Sequence, residues 1–300
     1  MIISPDGFIL LDSPSLAERT TIRLGGEAIA EVRVSDVNCL ERLPGFMSRI
    51  GGRVCLIGEG SNILARDGTL PILLLSLAPM DLPVIVEDRK DSVLLRAHAG
   101  MRLPSLLSHA AGLGLSGLEG LCGIPGSVGG AFFMNAGSFG VEMASLVRSV
   151  QLFSPVWGLT QRAVDVFDCS YRSCVLPGHP DWFLLCSVTM ELAKGNKDVI
   201  RGRMRDVYRR KQQSQPIGAW SAGCVFKNPA PDAPAGRLID EAGLKGASVG
   251  GMSFSQVHAN FMLNDGGGTF EQAMELIELA REKVRASSGH ELELEVQLWL

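Results

Sequence analysis

Residues 114–137 read Gly-Leu-Ser-Gly-Leu-Glu-Gly-Leu-Cys-Gly-Ile-Pro-Gly-Ser-Val-Gly-Gly-Ala-Phe-Phe-Met-Asn-Ala-Gly. At the centre, Gly123-Ile124-Pro125-Gly126-Ser127-Val128-Gly129-Gly130 leads into Met134-Asn135-Ala136-Gly137. Small residues in succession let backbone N–H groups turn toward one anion without Cβ collisions, which is how a pyrophosphate is cradled. A tight turn uses the same residues, so one such loop decides nothing. A second lies upstream, where Gly58-Glu59-Gly60-Ser61-Asn62 follows the β-rich run 54–57. Neither loop carries the Lys-Ser/Thr of a P-loop, so the pair points to an extended dinucleotide of another kind. Gly112–Gly117, G-L-G-L-S-G, matches the dinucleotide fingerprint letter by letter. That motif must follow a strand, whereas this copy follows the helical run 103–111 and reads as a helix end with its turn.

Outward from these loops, residues 21 to about 192 read as short strands with helices between them. The runs 54–57, 72–75, 93–97, 150–153 and 184–190 are β-rich and bounded by Gly, Pro or Asp. Residues 40–50 and 103–113 have helical periodicity. A long polar helix over 196–213 connects to a second lobe. There, residues 270–287 place Phe270, Met274, Ile277 and Val284 on one face, Thr269 with Gln272 fits a capping box, and Gly289 ends the helix. Residues 291–298 alternate polar and apolar, which predicts a half-buried strand. Three hundred residues exceed the usual size of one core, and 46% of them are apolar, enough to fill two.

The net charge of −4 and the scatter of the 28 basic residues argue against nucleic acid, since no basic stripe with interleaved aromatics appears. The basic cluster 201–211 lies at helical spacing and reads as a solvated face. Seven cysteines are an odd number without a C-x-x-C pair. Cys169 and Cys174 have no matching Cys/His pair to complete a zinc site, so no metal is expected. Free, mostly buried thiols in a reducing cytosol are the expectation. Residues 1–11 contain Pro5 and Asp6 and no basic residue precedes Arg19, unlike a signal peptide. The apolar run 71–86 is broken by Pro79, Asp81 and Pro83 and is unsuited to crossing a bilayer. A cytoplasmic, monomeric protein without a membrane partner is expected.

Taken in order, the motifs resemble one family. Thr20-Thr21-Ile22-Arg23-Leu24-Gly25-Gly26, the loop 58–62, the stretch 114–130 and residues 134–137 are similar to the successive FAD-binding signatures of the MurB family of flavin-dependent reductases. Tyr171-Arg172 resembles its Tyr-Arg pair. Ser221-Ala222-Gly223-Cys224-Val225-Phe226-Lys227-Asn228-Pro229 resembles a segment in which most members carry serine where Cys224 stands. Residues 235–240, 243–246, His258-Ala259-Asn260-Phe261 and 292–296 follow, with Leu294 where the family usually has proline. The resemblance spans residues 16–298.

It implies an α+β fold: a vanillyl-alcohol-oxidase (PCMH)-type FAD-binding domain over 16–195, then a smaller α+β substrate-binding domain over 196–300. Gly58, Glu59, Gly60, Ser61 and Asn62 are the implied cofactor contacts in the first loop. Gly123, Ile124, Pro125, Gly126, Ser127, Gly129 and Gly130 are those of the second, with Asn135, Ala136 and Gly137 beyond it. No histidine neighbours the first loop, so non-covalent FAD is expected. The only tyrosines are Tyr171 and Tyr208, which matches the family's shorter class.

The implied reaction is the NADPH-dependent reduction of UDP-N-acetylenolpyruvoylglucosamine. The resemblance puts Arg172 and Glu295 at the substrate carboxylate and Cys224 at the proton-donor position. It puts Tyr171, Lys227, Asn228 and His258 near the substrate or its diphosphate. The residues alone leave plainer readings open. Glu295 shares an alternating face with Glu291 and Glu293 and could simply be solvated. Cys224 could be a small buried residue, and His258 a packed histidine. Two other functions also fit: a flavin oxidoreductase of this fold on another UDP-sugar or an α-hydroxy acid, or an FAD electron-transfer module without chemistry of its own. An FAD carrier has no need of Cys224, Lys227, Asn228 and Glu295 in these contexts.

Overall fold

The structure, a computed structural model, describes residues 2–3, 7–78 and 82–300. Two compact units are each assembled from separated stretches of chain. The first comprises Met1–Asp12, Ala30–Gly58 and Ile72–Arg209; the second comprises Ser13–Ile29, Glu59–Pro71 and Arg210–Leu300.

The main sheet of the first unit runs Gly158–Ala163, Val147–Ser154, Leu184–Lys194, Ser92–His98, Val84–Asp88, all antiparallel. Alternate residues Val93, Leu95 and Ala97 face Val150, Leu152, Val188, Met190 and Leu192 in one buried cluster, as a period of two demands of a half-buried sheet. Helix Leu103–Leu113 buries Leu103, Leu106, Leu107 and Ala110 against the same cluster. It ends on Gly114 at φ 77°, so the fingerprint-like glycines are indeed a helix C-cap. Helix periodicity over 40–50 resolves into a 3₁₀ turn, Val37–Arg42, and a separate helix, Leu43–Ile50. Pro44 is the reason: without an N–H it begins a helix readily but interrupts one already running.

In the second unit Ser221–Cys224, Phe261–Asn264, Met252–Phe254 and Ser248–Val249 form an antiparallel sheet. Helix Phe270–Ser288 packs Leu276, Ile277, Ala280 and Val284 into a core with Phe226, Phe254 and Met262. Its Thr269–Gln272 capping box and left-handed Gly289 are formed as read. The strand expected over 291–298 is not: Gln297–Trp299 pairs parallel to Ile63–Ala65, and upstream of it Leu294 makes only an isolated antiparallel bridge with Phe226. Upstream, the N–H groups of both Glu295 and Val296 address Val225 O, at 2.8 and 3.4 Å. Two donors on one acceptor break the alternation. Glu291 and Glu293 are exposed, whereas Glu295 is half-buried.

A further correction concerns the thiols. Asp168–Ser170 and Ser173–Val175 form a hairpin whose register sets Cys169 directly opposite Cys174, and the two are disulfide-bonded. Spacing alone could not reveal this, because it needs the turn at 171–172. Among the described residues no helix is long and apolar enough to cross a membrane, and no group of three or more His, Cys, Asp or Glu could hold a metal ion.

Candidate functional site

In the first unit Gly58, where the first glycine loop begins, meets the second loop at Ser127. A Cβ placed on Gly58 would lie 2.3 Å from Ser127 Oγ, so that position accepts no side chain unless Ser127 moves. Ser127 caps helix Val128–Phe133 by accepting from Gly130 N at 3.2 Å. Gly129 packs its Cα against Ala99, where a Cβ would meet Ala99 Cβ at 3.0 Å. Gly123 and Gly126 sit at φ 82° and 121°, conformations that favour glycine. Not every N–H of the loop faces outward. Ile124 N donates to Leu121 O, Val128 N to Met101 O and Gly129 N to Ala99 O. The loop is therefore shaped by its own hydrogen bonds, and its glycines keep side chains off the surface they form. Backbone at Gly123 and Gly126 that carries no side chain and takes positive φ fits a large anionic cofactor.

Two residues beyond the end of helix Val128–Phe133, the chain turns on Asn135, buried at φ 39°. Its Oδ1 accepts from Ala144 N at 3.0 Å, and its Nδ2 donates to Ser170 O at 2.9 Å and to Glu142 Oε2 at 3.2 Å. Ser170 opens the turn Ser170-Tyr171-Arg172-Ser173 of the disulfide-closed hairpin. Arg172 takes φ 59°, and its guanidinium lies 4.9 Å from the centre of the Tyr171 ring. Nearby, a Cβ on Gly137 would stand 3.2 Å from Arg172 Nη1.

Glu119 fixes the stretch before the second loop. It accepts from Ser116 Oγ at 2.7 Å and Gly117 N at 2.6 Å, with Arg203 Nη1 at 3.7 Å. Burial pushes its carboxyl upward, but these donors outweigh it and hold the group below the usual carboxylate range.

The second unit gathers the other candidates. Gly60, at φ 65°, is pressed so close to Arg19 O that a Cβ would overlap it. Thr21 N donates to Gly60 O at 3.2 Å and Thr21 Oγ1 to Ser221 O at 2.6 Å, tying the end of the first loop to the strand Ser221–Cys224. Asn62 Nδ2 donates to Glu295 O at 3.0 Å, and Asn62 O accepts from Gln297 N at 2.9 Å. Glu295 is thus held on one side by Asn62 and on the other by Val225 O. Cys224 immediately precedes Val225, so the same backbone pairing brings Cys224 and Glu295 into one neighbourhood. Gly223, at φ 81°, with a register shift between Ser221 and Cys224, sets the local bend.

Asn260 is the anchor of this segment and was not among the candidates. It is buried, its Oδ1 accepts from Phe226 N at 2.9 Å, and its Nδ2 donates to Phe226 O at 2.8 Å. Its own carbonyl accepts from Val225 N at 2.8 Å. The signal was present: an asparagine beside Phe261 and Ala259, where burial is costly unless both amide groups find partners. The remaining candidates have visible structural duties. Lys227 Nζ forms an ion pair with Glu293. Asn228 Oδ1 accepts from Ala235 N at 3.0 Å, at the start of helix Ala235–Glu241. His258 packs edge-on to Phe261 at 5.0 Å, and its Nδ1 accepts from Asn260 N at 3.3 Å. Burial lowers its pKa from 6.5, so the ring is neutral near pH 7 with its proton on Nε2.

Comparison with known proteins divides the chain into two consecutive stretches. Residues 29–156 match the family described as FAD binding domain, and residues 215–299 match UDP-N-acetylenolpyruvoylglucosamine reductase, C-terminal domain. The chain is 50% identical over 293 residues to the UDP-N-acetylenolpyruvoylglucosamine reductase of Nitratidesulfovibrio vulgaris, covering 97% of this chain and 99% of that one. It is 46% identical to that of Oleidesulfovibrio alaskensis, covering 97% and 98%. The crystal structure of the reductase from Thermus caldophilus matches with a TM-score of 0.80 at 33% identity, over 98% of this chain and 99% of that one. The fold is accordingly α+β, with an FAD-binding domain of the vanillyl-alcohol-oxidase (PCMH) type.

Proposed function

The chain belongs to the UDP-N-acetylenolpyruvoylglucosamine reductase family, and from that premise we propose that it reduces UDP-N-acetylenolpyruvoylglucosamine to UDP-N-acetylmuramate with NADPH and non-covalent FAD. The observation that carries this reading is the backbone pairing of Val225 with Glu295, braced by Asn62 and Asn260, which serves Cys224 and Glu295 and would be idle in a mere flavin carrier. By role, residues 16–195 hold the flavin and 196–300 the substrate, a division that follows the matched families more closely than the compact units do.

The loops 58–62 and 123–130 with Ala136 and Gly137 would hold the cofactor, while the Asn135 side chain, engaged by Ser170, Glu142 and Ala144, shapes the turn before them. A bound flavin would supply hydride transfer between NADPH and the enolpyruvyl methylene. Negative charge then develops on the adjacent carbon and spreads into the substrate carboxylate. Arg172 binds that carboxylate, since its guanidinium is a planar fork that stays charged. Glu295 borders the developing charge from a half-buried position, as a hydrogen-bond partner. Cys224 gives the proton to the carbon; an unperturbed thiol pKa of about 8.5 makes it a far better acid than the serine most relatives carry. Tyr171, Lys227 and Asn228 contact the substrate, and neutral His258 donates from Nε2 toward its diphosphate. On this reading the protein acts as a monomer in the cytoplasm.

The test is direct. Purified protein is yellow and releases all of its flavin on acid precipitation. Incubated with NADPH and the enolpyruvyl UDP-sugar, it yields a product two mass units heavier than the substrate. Flavin retained in the precipitate contradicts non-covalent binding, and an unchanged substrate mass contradicts the activity.

A further inference from the structure

We propose that Asn135 and the Cys169–Cys174 bond are positioning residues for Arg172, holding its turn in the conformation that receives the substrate carboxylate. The proposal rests on the reading of Arg172 given above and assigns Asn135 a duty other than cofactor contact.

Arg172 occupies the left-handed region at φ 59°. A residue with a Cβ is disfavoured there by a factor of about 5–30, and hairpins normally place Gly or Asn at such positions. The ladder behind the turn is short, with only three residue pairs, from Ser170↔Ser173 to Asp168↔Val175. Something else must keep Arg172 in place, and two devices converge on it. One residue pair back, the disulfide joins Cys169 to Cys174, which is buried in the core of the first unit. At the first residue of the turn, Asn135 Nδ2 grips Ser170 O at 2.9 Å. Asn135 is itself immobilised: both amide hydrogens and its carbonyl oxygen are engaged by Ser170, Glu142 and Ala144. That saturation is why its side chain reads as a clamp on the hairpin. Gly137 completes the arrangement, because a Cβ there would press on Arg172 Nη1.

Opening the disulfide takes two electrons and two protons. A small dithiol supplies both and leaves as its own cyclic disulfide, while Cys169 and Cys174 become thiols. Without the bond the turn relaxes toward right-handed or extended backbone, and Arg172 leaves its post for most of the time.

The experiment uses the FAD-loaded full chain. Binding of the enolpyruvyl UDP-sugar is titrated calorimetrically without NADPH, and the bleaching of the yellow band by NADPH is timed separately. Dithiol-reduced wild type, Cys169→Ser and Asn135→Ala are each expected to bind the UDP-sugar about 5–30-fold more weakly, with bleaching by NADPH unchanged in the first two. In an Arg172→Ala background, Cys169→Ser is expected to add no further loss, because both changes remove the same interaction. Reduction of the folded wild type, verified by a gain of two thiols, keeps the test open if a variant fails to fold. If Arg172→Ala weakens binding while reduction and Cys169→Ser do not, or if the losses add in the double variant, the positioning proposal falls and the role of Arg172 stands. If Arg172→Ala binds normally, the role of Arg172 falls and the proposal with it.

Discussion

Replacing Asn260 with alanine removes both hydrogen bonds that bracket the Phe226 peptide, at 2.9 Å from its N–H and 2.8 Å to its carbonyl. Phe226 is fully buried and Asn260 nearly so, so water does not readily replace the amide. Phe226 lies opposite Leu294 in a bridge whose hydrogen bonds come from its neighbours, Lys227 N to Glu293 O and Glu295 N to Val225 O. Its own N–H and carbonyl therefore lose their partners together. A buried polar group left unsatisfied costs about 1–3 kcal/mol, so the pair costs about 2–6 kcal/mol, a large share of a typical stability of about 5–15 kcal/mol. At about 2–4 °C per kcal/mol the melting temperature falls by roughly 4 °C or more. Turnover falls with it, since the displaced strand carries Cys224 and pairs with Glu295. Calorimetric melting beside steady-state kinetics measures both. Asn260→Asp sharpens the test: one oxygen still accepts from Phe226 N, while the other confronts Phe226 O. Its deficit shrinks as pH falls and that oxygen takes up a proton. A melting temperature within 1 °C of wild type for Asn260→Ala refutes the reasoning, because the Phe226 peptide would then have other partners.

Glu295→Gln slows turnover at least tenfold while Glu291→Gln, an exposed residue opposite Arg285, changes it by less than about twofold, as measured by steady-state NADPH consumption; equal effects return Glu295 to the solvated-face reading. Glu293 is a poorer control, because it pairs with Lys227. Cys224→Ala leaves bleaching of the flavin band by NADPH unchanged and slows its return on adding the enolpyruvyl substrate by about 10²–10⁴-fold, with Cys224→Ser retaining much of the rate; a wild-type return rate in Cys224→Ala, read by stopped-flow absorbance, makes Cys224 a packing residue. Glu119, held below its reference value of 4.5, takes up its proton more readily when unfolded, so its stabilisation is complete above that pH and is lost as pH falls through the lower folded value. Glu119→Gln flattens this acid limb of the stability profile, and an unchanged limb in acid-denaturation curves refutes the assignment.

The parts legible in the sequence were those governed by local rules. The helix Leu103–Leu113 with its glycine stop and the helix Phe270–Ser288 with its capping box follow from periodicity and from caps a few residues away. The glycine loops were legible for the same reason, since left-handed or crowded backbone at Gly60, Gly123 and Gly126 leaves only one residue type. What escaped depends on partners distant in sequence. Alternation over 291–298 predicted a regular strand, but Val225, some seventy residues earlier, accepts two successive N–H groups there and turns Glu295 away from the exposed face of Glu291 and Glu293. The disulfide was illegible because it depends on hairpin register. Asn135 and Asn260 stood inside recognised motifs, yet their clamping roles appear only once Ser170 and Phe226 are in place.

The central claim is tested most directly by following NADPH absorbance in the presence of the FAD-loaded protein and one candidate acceptor at a time. The account predicts oxidation that is slow without acceptor, becomes rapid on adding UDP-N-acetylenolpyruvoylglucosamine, and consumes one NADPH per UDP-N-acetylmuramate formed. Other UDP-sugars and α-hydroxy acids leave the slow rate unchanged. NADPH oxidation indifferent to the enolpyruvyl substrate, or equally stimulated by an unrelated UDP-sugar, contradicts it.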